Sequence, residues 1–422
     1  MLELQFIREN SDLVKKDLER RKDPEKITFV DELLKKDKSS LKLKQEVESL
    51  RHKRNKISQE INNKMKNKED ATSLIKEAKE FPKKIQELED KKQKLDEKIH
   101  FYLLRIPNIL HESVPYGKDD TQNKEIKKHG KIKDSKDLID HATLIENLNP
   151  KSFTKASEVS GKGFYYLFDK IALLERALIN FAIDNLTKKD YALCSPPLML
   201  RRKSYEGVTD LADFEEMLYK VEGEDLHLIA TSEHPIAAFY QNETIKESDL
   251  PIRLVGFSPC FRKEIGSHGV DERGLFRVHQ FNKIEQFIFC KPQDSWKLHE
   301  ELLKNAEEIM KLLELPYHVV NICTGDIGIV ASKKYDIEAY MPREKEYKEV
   351  VSCSNCTSYQ AVRLNIKYQK GNDKEFIHTL NSTAIATSRI LRAILENYQK
   401  KDGSIEVPKV LQPYTGFKEI KV

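Results

Sequence analysis

Residues 30–102 contain almost no glycine or proline, and their apolar side chains recur in alternating steps of three and four. Leu43, Val47, Leu50, Ile57 and Ile61 mark one stripe, interrupted by Arg54. Leu74, Ala78, Phe81, Ile85, Leu88, Leu95, Ile99 and Tyr102 mark a second, interrupted by Lys92. Such spacing is a heptad seam on two successive helices. The polar stretch NNKMKNKEDAT, residues 62–72, separates them, and two helices joined by a short turn run antiparallel. A coiled-coil hairpin is therefore predicted over residues 30–103, each helix of about 35 residues reaching roughly 50 Å. So narrow a structure buries little apolar area, and its length calls for a role beyond stability.

Charge indicates where to look for that role. Residues 51–68 hold seven basic side chains, Arg51, Lys53, Arg54, Lys56, Lys64, Lys66 and Lys68, against one acid, Glu60. A solvated coiled-coil face is one explanation; a surface that meets phosphates is the other. The net charge of the 422-residue chain is only +4. No molecule-wide basic field follows, so a nucleic-acid contact has to be a local patch.

Residues 104–135, with Pro107, Pro115, Gly117 and Gly130 among polar neighbours, are expected to be a connector. From about Asp140 the composition turns globular. ALLERALINFAIDNL, residues 172–186, has the pattern of an amphipathic helix. DLHLIAT, IRLVGFSPCF, FRVHQFNKIEQFIFC and YHVVNICT have that of strands. Without regular βαβ alternation these predict a mixed, largely antiparallel sheet with helices, an α+β fold. Neither GxxxxGK[ST] nor GxGxxG occurs, so neither of those loops holds a nucleotide here. Six cysteines in apolar surroundings read as reduced thiols, and the CxxC of Cys353 and Cys356 lacks the second pair a structural zinc requires. MLELQFIREN has no signal-peptide pattern, and no apolar run approaches the ~18 residues of a membrane span. A soluble, cytoplasmic protein with no membrane partner is expected.

Four short constellations in the second part carry chemistry-bearing residues. They are TSEHP, with Thr231, Ser232 and Glu233; FRKEIGSHGVDERGLFRVHQFNKIEQF, with Arg262, Lys263, Glu264, Arg273, Arg277, Phe281 and Glu285; KEVVSCSN, with Glu349, Val350, Val351 and Ser352; and LNSTAIATSRILRAILENYQ, with Thr383 and Arg389. Arginines at strand ends and a helix start suit forked contacts to phosphate. Interleaved carboxylates hold a magnesium ion or an ammonium group, and Phe281 in a polar strand suits stacking on a base. Structural ion pairs and a core aromatic are the competing explanations for the same residues.

Taken together the strings resemble the class II aminoacyl-tRNA synthetases, and the seryl-tRNA synthetase family in particular. The 261–287 string is similar to motif 2 and the 380–399 string to motif 3. YKEVVSCSNCTSYQAVRLNIKY resembles the seryl-specific stretch between them, and YALCSPPLM, with Pro196 and Pro197, the motif 1 region. MLELQFIREN, the hairpin and NILHESVPYGKDD are similar to that family's N-terminal part. One departure is Ser382-Thr383-Ala384, where many bacterial members have Gly-Ser-Gly.

The resemblance implies a class II antiparallel sheet with flanking helices, preceded by the hairpin. It divides the chain into a tRNA-binding domain, 1–110, and a catalytic domain, 111–422. It implies a homodimeric serine--tRNA ligase that uses ATP and Mg2+ to activate L-serine and load tRNA(Ser). Members of the family also serylate tRNA(Sec), a second expected substrate. Arg262 is then expected at the α-phosphate and the serine carboxylate, and Arg389 at the γ-phosphate. Glu349 and Ser352 are expected at magnesium, with Val350 and Val351 beside the nucleotide. Lys263 and Glu264 are expected near the adenine or phosphates, and Val278 and Phe281 at the adenine. Thr231, Ser232, Glu233, Glu285 and Thr383 form the expected serine pocket; which carboxylate takes the ammonium is left open. Arg51, Lys53, Arg54, Lys56 and Lys64 are expected on the tRNA. Two rival readings are a class II relative that charges another carrier and a non-catalytic RNA-binding coiled-coil adaptor.

Overall fold

The computed structural model describes residues 1–132, 138–264 and 274–421. The chain divides into two compact units, Leu2–Pro107 and the remainder from Asn108 with Met1.

The first unit is helical. Helices α1 (Leu4–Glu9) and α2 (Ser11–Arg20) precede two long ones, α3 (Pro24–Lys66) and α4 (Thr72–Arg105). Helix α3 begins earlier than the heptads require because Asp23 accepts the Lys26 amide at 3.1 Å and Pro24 occupies the first helical position. It spans 43 residues, or ~65 Å at 1.5 Å per residue. The turn falls inside the expected polar stretch: Lys68 has φ 60°, and the Asp70 carboxylate accepts the Thr72 amide at 2.9 Å. Val47, Phe81 and Ile85 form the buried seam, with Leu50, Ile57 and Leu88 packed against it. Lys92, at a seam position, is carried out to Asp96, which also accepts from Ser40 at 2.7 Å.

The second unit is built on an eight-stranded sheet: β1 (Lys124–His129), β2 (Ala192–Cys194), β3 (Ile252–Phe261), β4 (Gln280–Cys290), β5 (Tyr317–Asn321), β6 (Lys333–Met341), β7 (Glu346–Asn355) and β8 (His378–Ala386). Their order is β1-β5-β6-β7-β8-β4-β3-β2, antiparallel throughout except for the short edge strand β2. Strand β1 corrects the expected connector: part of residues 104–135 is an edge strand paired with β5. Three predicted strands are shorter than read. DLHLIAT contributes only His227–Leu228, the 276–290 run becomes extended at Gln280, and YHVVNICT is a strand only over Tyr317–Asn321.

One face of the sheet is covered by α5 (Asp169–Thr187), which carries Leu174 and Leu178 into the main core, and by two later helices. Of these, α8 (Ser295–Leu312) contributes Leu302 and Ile309, and α10 (Thr387–Asn397) contributes Ile390 and Ile394. From the sheet come Ile284, Ile288, Val351 and Ile385. The opposite face is only partly covered. There α6 (Arg202–Val208), α7 (Glu233–Ala238) and α9 (Tyr359–Leu364) pack Tyr205, Ile236 and Leu364 against Phe287 and Phe289 of β4. Side chains alternate across a strand, so the same face of β4 runs Phe281, Lys283, Glu285, Phe287, Phe289. Its last two residues belong to the second core, and its first three face an open cleft.

Candidate active site

The cleft has an empty volume of about 1140 Å³, the part open to solvent included. Its floor is the uncovered face of β6, β7, β8 and β4. Two bulges set which residues reach it. In β7 the pairing with β6 slips between Glu349 and Val351, and in β8 the pairing with β4 slips between Thr383 and Ile385. An extra residue reverses the alternation beyond it. Glu349 and Ser352 therefore share the cleft face, as do Asn381, Thr383 and Ala386, while Val351 and Ile385 turn into the core.

One end of the cleft is acidic and hydroxylated. The buried Thr231 accepts the Glu233 amide on its Oγ1 at 3.2 Å, which fixes the turn into α7. Glu233 accepts from Gln360 at 3.0 Å and from Asn381 at 3.2 Å. Burial, then the nearby charge of Glu285, push Glu233 up to about 7. Glu285 is ion-paired with Lys283 at 2.8 Å and accepts from Thr383 Oγ1 at 3.2 Å. His234 is held neutral, its pKa pushed down to about 3 by burial and by Lys283 and Arg262. The Thr231–Glu233 turn lies so close to β3 that a Cβ on Gly256 would stand 2.6 Å from Ser232 Oγ.

The other end is cationic. Arg262 follows β3, its amide bound to the His279 carbonyl at 2.9 Å and its guanidinium 5.2 Å from the Phe281 ring centroid. Its buried Nε has no partner among the described residues. Arg389, in the first turn of α10, donates to the Glu349 carbonyl at 2.9 Å and pairs with its carboxylate at 3.2 Å. Burial opposes ionisation of Glu349, but Arg389, Lys334 and Arg262 outweigh it and hold the carboxyl well below its ordinary range. Phe281 packs with Cys260, Val278 and Ala386.

The structure thus brings Thr231, Glu233, Arg262, Phe281, Glu285, Glu349, Val350, Ser352, Thr383 and Arg389 to one cleft. Other candidates lie elsewhere. Val351 is in the main core, Ser232 is buried beneath Gly256, and Val278 backs Phe281. Lys263 bonds through its amide to the Met217 carbonyl and reaches over Tyr219. Glu264, with φ 46°, ends the described segment. Arg273 lies outside the described residues, and Arg277 is exposed and does not line the cleft. Sequence reasoning missed Lys283, Asn381, His234 and Lys334. The alternation of Phe281, Lys283 and Glu285 signalled the first, and that of Asn381 with Thr383 the second; nothing local signalled the others.

On the hairpin, Lys53 and Lys56 are exposed, Arg54 and Lys64 half-buried, and Arg51 pairs with Glu89 at 2.5 Å. Cys353 and Cys356 are separate buried thiols, one near the His299 carbonyl and one near Asn381. Among the described residues no group of three or more His, Cys, Asp or Glu could hold a metal ion, and no helix is long and apolar enough to cross a membrane.

Known proteins with this arrangement share much of the sequence. Residues 1–110 match the seryl-tRNA synthetase N-terminal domain, and residues 217–398 the tRNA synthetase class II core domain (G, H, P, S and T). A serine--tRNA ligase of Methanocella arvoryzae is 56% identical over 418 residues, 98% of this chain and 98% of that one. The seryl-tRNA synthetase of Pyrococcus horikoshii, solved with ATP, superposes with a TM-score of 0.93 at 47% identity, covering 100% of this chain and 99% of the other. The cytoplasmic serine-tRNA ligase of Naegleria fowleri, solved with AMP, gives a TM-score of 0.88 at 35% identity, again over 100% and 99%. With identity this high across nearly the whole of both chains, the chain belongs to the seryl-tRNA synthetase family, the serine--tRNA ligases among the class II aminoacyl-tRNA synthetases.

Proposed function

We propose that the cleft activates L-serine with ATP to seryl-adenylate, and that the enzyme then transfers serine to tRNA(Ser). The observation that carries this reading is the juxtaposition of an acidic, hydroxyl-lined pocket with two arginines in one cleft. The pocket of Thr231, Glu233, Glu285 and Thr383 suits an amino acid that bears an ammonium and a hydroxyl. Alanine would leave buried polar groups unpaired, and sites of this kind discriminate by ~10⁴-fold or more. Arg262, whose Nε has no partner among the described residues, is suited to the α-phosphate and the serine carboxylate, and Arg389 to the outer phosphates. The Phe281 ring is suited to the adenine.

The serine carboxylate is ionised at neutral pH and needs no general base. It attacks the α-phosphorus in line, and pyrophosphate leaves. Charge accumulates on phosphoryl oxygens beside cations already in place, Arg389 fixed by Glu349 and Arg262 set over Phe281, so the rate gain is positioning and electrostatics. Glu349 and Ser352 would hold magnesium: an ionised carboxylate and a hydroxyl are the hard oxygen donors that ion takes, and Glu349 is kept ionised by its cationic neighbours. Bound there, magnesium adds positive charge at the phosphates.

The exposed lysines of the hairpin suit the backbone of an RNA helix, whose shape is read through phosphates and 2′-hydroxyls. We extend the proposal to tRNA(Sec), the second substrate that the family resemblance implies. A homodimer is supported by the exposed apolar side chains around β2, where Leu193 is 51%, Leu198 38% and Met199 41% exposed.

Serine-dependent exchange of labelled pyrophosphate into ATP tests the activation step. Wild-type enzyme is expected to exchange with serine and not with alanine, and Arg262→Ala to lose about 10²–10³-fold in kcat, the usual loss when one such donor is removed. Absence of exchange with folded protein would leave the RNA-binding adaptor as the better description.

A further inference from the structure

We infer that Lys334, held from behind by Asp336, is a further binding residue for the phosphate chain of the nucleotide; this rests on the proposed use of ATP in the cleft. Lys334 and Asp336 lie two apart on β6, hence on one face, and Asp336 is paired across to Ser352 on β7. The ammonium of Lys334 lies 3.1 Å from Asp336 Oδ2, with the lysine side chain 21% and the aspartate 6% exposed. Lys334 lines the cleft, flanked by Ile327 and Val330, while Asp336 does not reach the lining. The lysine also acts electrostatically on Glu349, second only to Arg389 among the cations that do so. Its charge is therefore directed to the Glu349–Ser352 end of the cleft.

The arrangement repeats the device seen at Arg389 and Glu349: a cation faces the cleft and an acid fixes it. A lone buried ion pair is weak support for a fold, because desolvating two charges offsets their attraction. A cation prefixed where anionic charge will sit has a use, since it needs no reorganisation when the ligand arrives. Asp336 Oδ1 is buried with no partner among the described residues. One oxygen thus fixes the lysine, and the other remains an acceptor beside the Ser352 strand position. Asp336 is a positioning residue here, and Lys334 the group that meets phosphate.

The test uses full-length enzyme, with pyrophosphate exchange for KM and calorimetric titration of ATP in the absence of serine. Lys334→Met is expected to raise KM and Kd for ATP about tenfold or more, the effect of losing one charge-assisted contact, with KM for serine within about twofold. Lys334→Arg is expected to recover most of the ATP affinity, and Asp336→Asn to weaken ATP in the same direction but less. Because Lys334→Met strands a buried carboxylate, the double variant Lys334→Met/Asp336→Asn is measured beside it. An unchanged ATP Kd in the folded double variant overturns the inference, and so does an equal loss for ATP and serine. No exchange and no ATP binding by wild-type enzyme would remove the ATP reading itself, and this inference with it.

Discussion

Burial and the charge of Glu285 push Glu233 up to about 7 from the ordinary 4.5, which gives two consequences of definite sign. Under the proposed serine binding, an ammonium held at Glu233 requires its ionised form, so KM for serine is expected to fall as pH rises through about 7 and Glu233→Gln to flatten that profile; a pH-independent KM would assign the ammonium to Glu285. Between the two values the folded protein holds a proton the unfolded chain has released, so this residue's contribution to stability declines as pH rises from 4.5 to about 7. The size is on the order of 1–3 kcal/mol. Denaturant unfolding at both ends of that window, on wild type and Glu233→Gln, measures it; a wild-type slope matching the variant's would place the ionisation elsewhere. Gly256 is the other revealing residue. An added methyl would meet Ser232 Oγ at 2.6 Å and Ile236 Cδ1 at 2.5 Å, displacing the Thr231–Glu233 turn. Gly256→Ala is expected to raise KM for serine more than KM for ATP, with a lowered Tm.

At the scale of elements, the hairpin and the bulged strands differ in how legible they were. Heptad spacing and the polar turn are local, so the two helices could be read directly, apart from the early start of α3 at its Asp23 cap. The proposed tRNA contact is checked by reversing exposed charge: Lys53→Glu/Lys56→Glu is expected to lower kcat/KM for tRNA about tenfold or more and to flatten its salt dependence. Serine-dependent pyrophosphate exchange should stay within about twofold, because these residues belong to the helical unit. Equal charging by the variant would remove the hairpin from the RNA contact. The bulges were not legible. A bulge depends on which residues the partner strand presents, and nothing in KEVVSCSN says that alternation reverses at Val350. The family resemblance sets Val351 beside Glu349 and Ser352, whereas the bulge turns it, 1% exposed, into the main core.

At the scale of the whole molecule, the main core joins α5, α8 and α10 to one face of the sheet. Ile288, fully buried there, is expected to cost about 2–5 kcal/mol on truncation to alanine, read from the denaturant midpoint. Leu193→Asp on the exposed β2 edge is expected to shift sedimentation from dimer toward monomer; an unchanged dimer would place the interface on another face.

The sequence by itself determined what is local: the heptads of the hairpin, the strand-forming run 252–261, the helix around 172–186, and the strings that resemble class II motifs. Those strings named ten residues that share one cleft. Only the tertiary structure decided which residue types complete it. Lys283 and Asn381 alternate with residues those strings name, but only the pairing of β6, β7, β8 and β4 brings them together with Lys334, and Ser232 is excluded by the close approach of Gly256. Short-range pattern follows from backbone geometry within a turn or a pleat, whereas a site is a set of long-range registers, and registers are settled only when every strand buries its apolar face at once.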